Sequence, residues 1–138
     1  MAKRKPQVKM RSYGIYQKWD ADSKDLPRVV EFTTEIPATI DIEFGFVIQI
    51  TGAKNKELAY CIDRPGILDD EGNRRDPFDG SVYVRSNDWQ FYLGDTIWAP
   101  ISDKLGEWHM WIELDGQVIA EKTFDVFDED EPEWLEGA

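Results

Sequence analysis

His109 is the only histidine of the chain and Cys61 its only cysteine. Nucleophilic, proton-transfer or soft-metal chemistry would therefore have to pass through one of them. A histidine titrates near neutrality and is the usual general base. Glu121 lies close enough along the chain for a hairpin to bring it beside the ring and orient it. No serine or cysteine stands near His109 in sequence, and the sequence places no triad partner. The plainer reading is a half-exposed strand histidine paired with a glutamate. Cys61 falls among Leu58, Tyr60 and Ile62 in a strand pattern, which suits a small sheet residue better than a nucleophile. One cysteine and one histidine are too few soft ligands for a typical structural zinc site. No catalytic residue, metal ligand or cofactor is assigned.

The acidic stretch "DRPGILDDEGNRRDPFDG" invites comparison with a calcium loop. Setting the required glycine at Gly72 puts Ile67 first and Phe78 last, where carboxylates are needed. Asp69, Asp70, Glu71 and Asp76 form either a different oxygen cage or a polar loop turned by Gly66, Gly72, Pro77 and Gly80. Walker, GxGxxG, GxSxG and HExxH motifs are absent. Trp89, Phe91, Tyr92 and Trp98 resemble a sugar-stacking platform. In a strand, however, Trp89 and Phe91 share one face, which reads as core. Trp98 and Trp111 are the aromatics left for a ligand.

The elements that must carry these residues are strands, because the apolar period is two. In "IDIEFGFVIQI", Ile40, Ile42, Phe44, Phe46, Ile48 and Ile50 share a face. "RVVEFTTEI" aligns Val30, Phe32, Thr34 and Ile36. "SYGIYQKW", "ELAYCID", "GSVYVRS" and "WQFYL" read as further strands, and "DTIWAPI" as a strand or an irregular crossing segment. "ELDGQ" fits a three-residue loop with a G1 bulge at Gly116. That loop pairs Ile112 with Val118, Met110 with Ala120 and Trp108 with Lys122. Trp108, Met110, Ile112, Val118, Ala120 and Phe124 then form a core face. His109 stands across from Glu121, and Trp111 and Ile119 share the outward face. The pair reads as an association patch, with a buried role for Trp111 as the alternative.

Charge and composition bound the rest. A net charge of −12 disfavours a nucleic-acid backbone. No apolar run approaches the ~20 residues that span a bilayer, so no membrane role is expected. A lone cysteine and a polar N-terminus indicate a reducing compartment, the cytoplasm. The charges are segregated. Residues 1–12 form a basic arm with Lys3, Arg4, Lys5, Lys9 and Arg11, residues 13–127 the sandwich, and residues 128–138 an acidic tail. Trp134 and Leu135 sit among those acids. They make the tail either a docking peptide that orders on binding or a solvated end.

"EIPATIDIEFGF", "DRPGI" and "GEWHMWIELDGQVIAEKTFDV" together resemble a bacterial family, domain of unknown function 3859, over about Tyr13 to Phe127. The resemblance implies a sandwich whose last two strands form this hairpin, and no activity. The expectation is an all-β, immunoglobulin-like β-sandwich of about seven to nine antiparallel strands without a disulfide. It is not an enzyme and acts through a protein partner or as a homodimer. The alternative is a small-ligand or carbohydrate-binding module.

Overall fold

A computed structural model describes residues 5–18, 26–66, 71–73 and 77–128. Trp134, Leu135, Asp69, Asp70, Asp76, Lys3 and Arg4 lie outside the described residues. Among those described, the alternating pattern becomes nine strands and no helix: β1 (Gln7–Tyr16), β2 (Val29–Glu31), β3 (Glu35–Pro37), β4 (Glu43–Thr51), β5 (Glu57–Asp63), β6 (Phe78–Tyr83), β7 (Asp88–Thr96), β8 (Gly106–Leu114) and β9 (Gln117–Phe127). One sheet runs β2-β1-β4-β7 and the other β3-β9-β8-β5-β6.

The core lies between the sheets. β4 turns Phe44, Phe46, Ile48 and Ile50 wholly inward, as its spacing requires. β8 answers with Trp108, Met110 and Ile112, and β9 with Phe124 and Val126. Trp108 is at the centre. Its ring stands edge-on to Phe44 at 5.1 Å and to Trp98 at 6.2 Å, and Phe44 stands edge-on to Phe124 at 5.5 Å. Its Nε1 donates to the Lys104 carbonyl at 2.8 Å, which satisfies the one polar atom that burial would otherwise strand.

Three expectations need correction. The final hairpin turns on two residues, not three. Asp115 and Gly116 both have positive φ, 52° and 80°, as a type I′ turn requires. Leu114 pairs with Gln117 and Glu113 with Val118. A bulge at Ile119 then restores the inward register, so that Ile112 faces Ala120 and Trp108 faces Phe124. Val118 is thereby left 49% exposed instead of joining the core. Next, "RVVEFTTEI" is two short strands in different sheets. Only Ile36 of its expected face is buried, while Val30 and Phe32 are 63% and 59% exposed. Finally, the first strand starts at Gln7 rather than Ser12, so half of the expected arm is sheet.

A second, smaller cluster lies on the outer face of the four-stranded sheet. Tyr16, Val47 and Tyr92 pack there with Leu26 and Val29. The Tyr92 hydroxyl donates to Glu43 Oε2 at 2.7 Å, and Thr96 Oγ1 donates to Oε1 at 3.2 Å, which solvates a buried carboxylate. Gly94 is required beneath it, since a Cβ there would stand 2.0 Å from the Tyr92 hydroxyl. Burial pushes the Tyr16 hydroxyl up to about 12, and burial with the Glu43 charge raises Tyr92 further still.

Trp108→Ala should cost about 3–5 kcal/mol of stability, whereas Val30→Ala should stay within about 0.5 kcal/mol. Paired thermal melts read the contrast. Equal losses would mean that the core is placed wrongly. The tyrosines add a dependence on alkali. Their folded pKa values lie above the ordinary 10, so the fold holds their protons more tightly than the unfolded chain does. Stability is therefore intact below pH 10 and falls as pH rises through and beyond it. Tyr92→Phe should flatten that fall while costing about 1–3 kcal/mol at neutral pH, because Glu43 loses one of its buried donors. Denaturant titrations across the alkaline range measure both.

Candidate functional site

Alternation along β8 puts His109, Trp111 and Glu113 on the outer face of the five-stranded sheet. His109 pairs with Thr123, and Trp111 with Cys61 on one side and Glu121 on the other. The expected histidine–glutamate contact is present, though on a diagonal, with His109 Nε2 to Glu121 Oε2 at 3.1 Å. The His109 ring also tilts against Trp111 at 4.7 Å. Both partners of the contact are well exposed, and water screening leaves such a pair little energetic weight. No hydroxyl or thiol completes a nucleophilic arrangement with His109 among its described contacts.

Cys61 shares a shallow groove of 430 Å³ with Trp111, Tyr60, Asp79, Ser81 and Glu113. Its thiol is raised above the ordinary value by partial burial first, and then by the charges of Asp79, Asp63 and Glu113. Those carboxylates oppose the thiolate that nucleophilic or metal chemistry needs. Among the described residues, no group of three His, Cys, Asp or Glu side chains is arranged to hold a metal ion.

Trp98 is occupied. The Arg64 guanidinium lies over its ring at 5.0 Å and the Lys104 ammonium at 4.4 Å. Arg64 is in turn held by Asp95, with Nε to Oδ2 at 3.0 Å. Lys104 is fully buried and donates to the Pro100 carbonyl at 2.9 Å and to Asp103. The tryptophan packs into the core margin between these cations. The ring is half-buried.

Trp111 and Ile119, expected together, are separated by the bulge. Ile119 packs against the core and lines a different groove, of 340 Å³, with Val8, Met10, Val118, Ala120 and Glu121. This groove marks the open side of the sandwich. β2 pairs with β1 only at Ile15 and Tyr16, and β3 pairs with β9 only from Asp125 to Phe127. Along Gln7–Ser12 of β1 and Gln117–Thr123 of β9, the outer edge has no ladder partner among the described residues. The closed half ends where Lys122 Nζ sits over Tyr13 at 3.8 Å and Phe32 meets Tyr13 edge-on at 5.6 Å. Val8 and Met10 were not expected here. Their alternation with Lys5, Gln7 and Lys9 was the available signal.

A family model described as "Domain of unknown function (DUF3859)" matches residues 4–126. In structure the chain is similar to an immunoglobulin-like protein of Pseudomonas aeruginosa, with a TM-score of 0.74 and 22% identity, covering 92% of this chain and 100% of that one. A fainter likeness is to the alkylpurine DNA glycosylase AlkC of Pseudomonas fluorescens, with a TM-score of 0.43 and 10% identity, covering 87% of this chain and 30% of that one. The second carries no argument, and the first speaks for the fold alone. No curated protein matches in sequence. Among the described residues, no helix is long and apolar enough to cross a membrane.

The raised Cys61 thiol gives the site its test. Alkylation by iodoacetamide at pH 8 should run several-fold slower on the folded protein than on the same chain in denaturant. Equal rates would show an ordinary, accessible thiolate.

Proposed function

The chain belongs to the DUF3859 family, and we propose that it is a non-enzymatic association module that receives another protein on the open side of its sandwich. One observation carries the reading: two strand edges with no ladder partner among the described residues meet at a groove lined by Val8, Met10, Val118, Ile119, Ala120 and Glu121. Unpaired edges offer rows of backbone donors and acceptors, and the groove offers apolar surface that a partner can dry. The Cys61 thiol, raised by partial burial and then by its acidic neighbours, weighs against nucleophilic catalysis. A reducing compartment, the cytoplasm, suits a chain with one cysteine.

A photo-crosslinking residue placed at Ile119 should trap a partner in the native host, and one at the exposed Tyr83 should not. Ile119→Asp should abolish recovery of that partner at a temperature where its circular dichroism spectrum still matches that of the parent chain, because a charge at the centre of a dry contact is costly. Equal trapping at both positions, or none at Ile119, would overturn the proposal.

A further inference from the structure

The edge strands differ in charge, and the difference identifies what the groove accepts. On β1, Val8 and Met10 point into the groove. Gln7 and Lys9 point to the outer face beside Thr51 and Gln49, their partners in register. Arg11 sits exposed in the bulge between Met10 and Ser12, and Lys5 is exposed just before the strand. On β9, Glu121 lines the groove and Lys122, next along, sits over Tyr13. The β1 edge is thus basic outside and apolar inside, whereas the unpaired stretch of β9 carries one charge of each sign, Glu121 and Lys122.

Resting on the association reading, we propose that the partner contributes an extended acidic strand that adds along Gln7–Ser12 of β1. Strand addition satisfies the backbone groups of that edge that have no ladder partner among the described residues, and the period of two divides the incoming side chains between the faces. Alternate aliphatic residues enter the groove against Val8, Met10 and Ile119. The intervening carboxylates emerge on the side of Lys9 and Arg11, away from Glu121.

A second copy of the chain fits this edge poorly. Pairing β1 with β1 brings Lys9 and Arg11 together with their own kind. Pairing β1 with β9 of another copy leaves an edge free at each end, so the assembly does not close.

The probe is a fluorescent synthetic peptide of about four Glu-Val repeats, one strand long, with a Lys-Val peptide as control. Both are titrated against the full chain. The Glu-Val peptide should bind saturably, weaken as salt is raised, and shift the backbone amide signals of Gln7–Ser12. The Lys-Val peptide should not bind. The double variant Lys9→Glu, Arg11→Glu should weaken binding by about tenfold or more with its melting temperature intact, and the Gln double variant by less. No binding, binding indifferent to the charge reversal, shifts confined to other strands, or a dimer that protects Gln7–Ser12 would each overturn the acidic-strand proposal. Trapping at Ile119 that persists when the peptide fails would leave the association reading standing and remove only the acidic strand. Loss of both would remove the reading itself.

Discussion

Trp108 is the one side chain that both sheets and the crossing segment all require. It comes from β8 and meets Phe44 of β4 across the core at 5.1 Å. Its indole N–H is satisfied only because Lys104 presents a carbonyl at 2.8 Å. Lys104 can stand there because its own buried ammonium is held by Pro100, Asp103 and the ring of Trp98. A buried ammonium is costly without such partners. The path from Ile97 to Leu105 is therefore set by the need to satisfy one indole and one ammonium together. This is why Trp98, which looks available in the sequence, is part of the framework.

The second constraint is topological. The chain from Val29 to Pro37 starts in one sheet and ends in the other, pairing with β1 through β2 and with β9 through β3. Changing sheets closes one side of the sandwich, but nine residues reach only so far. In the closed half, Tyr13, Phe32 and Lys122 fill the gap. In the other half, the edges of β1 and β9 stay apart and the groove remains. The functional surface is thus a consequence of where a short segment stops, not of a cluster of reactive groups.

The strands and their inward faces were legible because burial on one side of a sheet imprints a period of two. That holds for Phe44 to Ile50 and for Trp108 to Ile112. What defeated the period was every place where it is locally broken. The bulge at Ile119 adds one residue to β9, so the period of two, read without a break, pointed to a three-residue loop where the chain makes a two-residue turn. Val30 and Phe32 kept the strand pattern while the backbone was leaving one sheet for another. Val8 and Met10 were hidden by the lysines beside them, because a run of bases reads as solvated. The contacts of Arg64 and Lys104 with Trp98 join distant parts of the chain and leave no local signal. The histidine–glutamate pair was found although the register behind it was wrong, since a diagonal neighbour on a sheet is still within reach of a long side chain.

An unpaired edge is also a hazard, and this one carries the usual safeguards. Each of the two strands has a bulge at the groove, near Arg11 on β1 and at Ile119 on β9, and β1 adds exposed cations. Bulges and lysines discourage indiscriminate pairing by twisting the edge and by charging it. They do not discourage all pairing equally. A cation on an edge repels another basic edge and attracts an acidic one, so the device that protects the strand also selects among the strands that approach it. A basic β1 on a chain of net charge −12 is well placed to discriminate in this way. Among the surrounding acids, the basic edge remains the place where an acidic segment is drawn in.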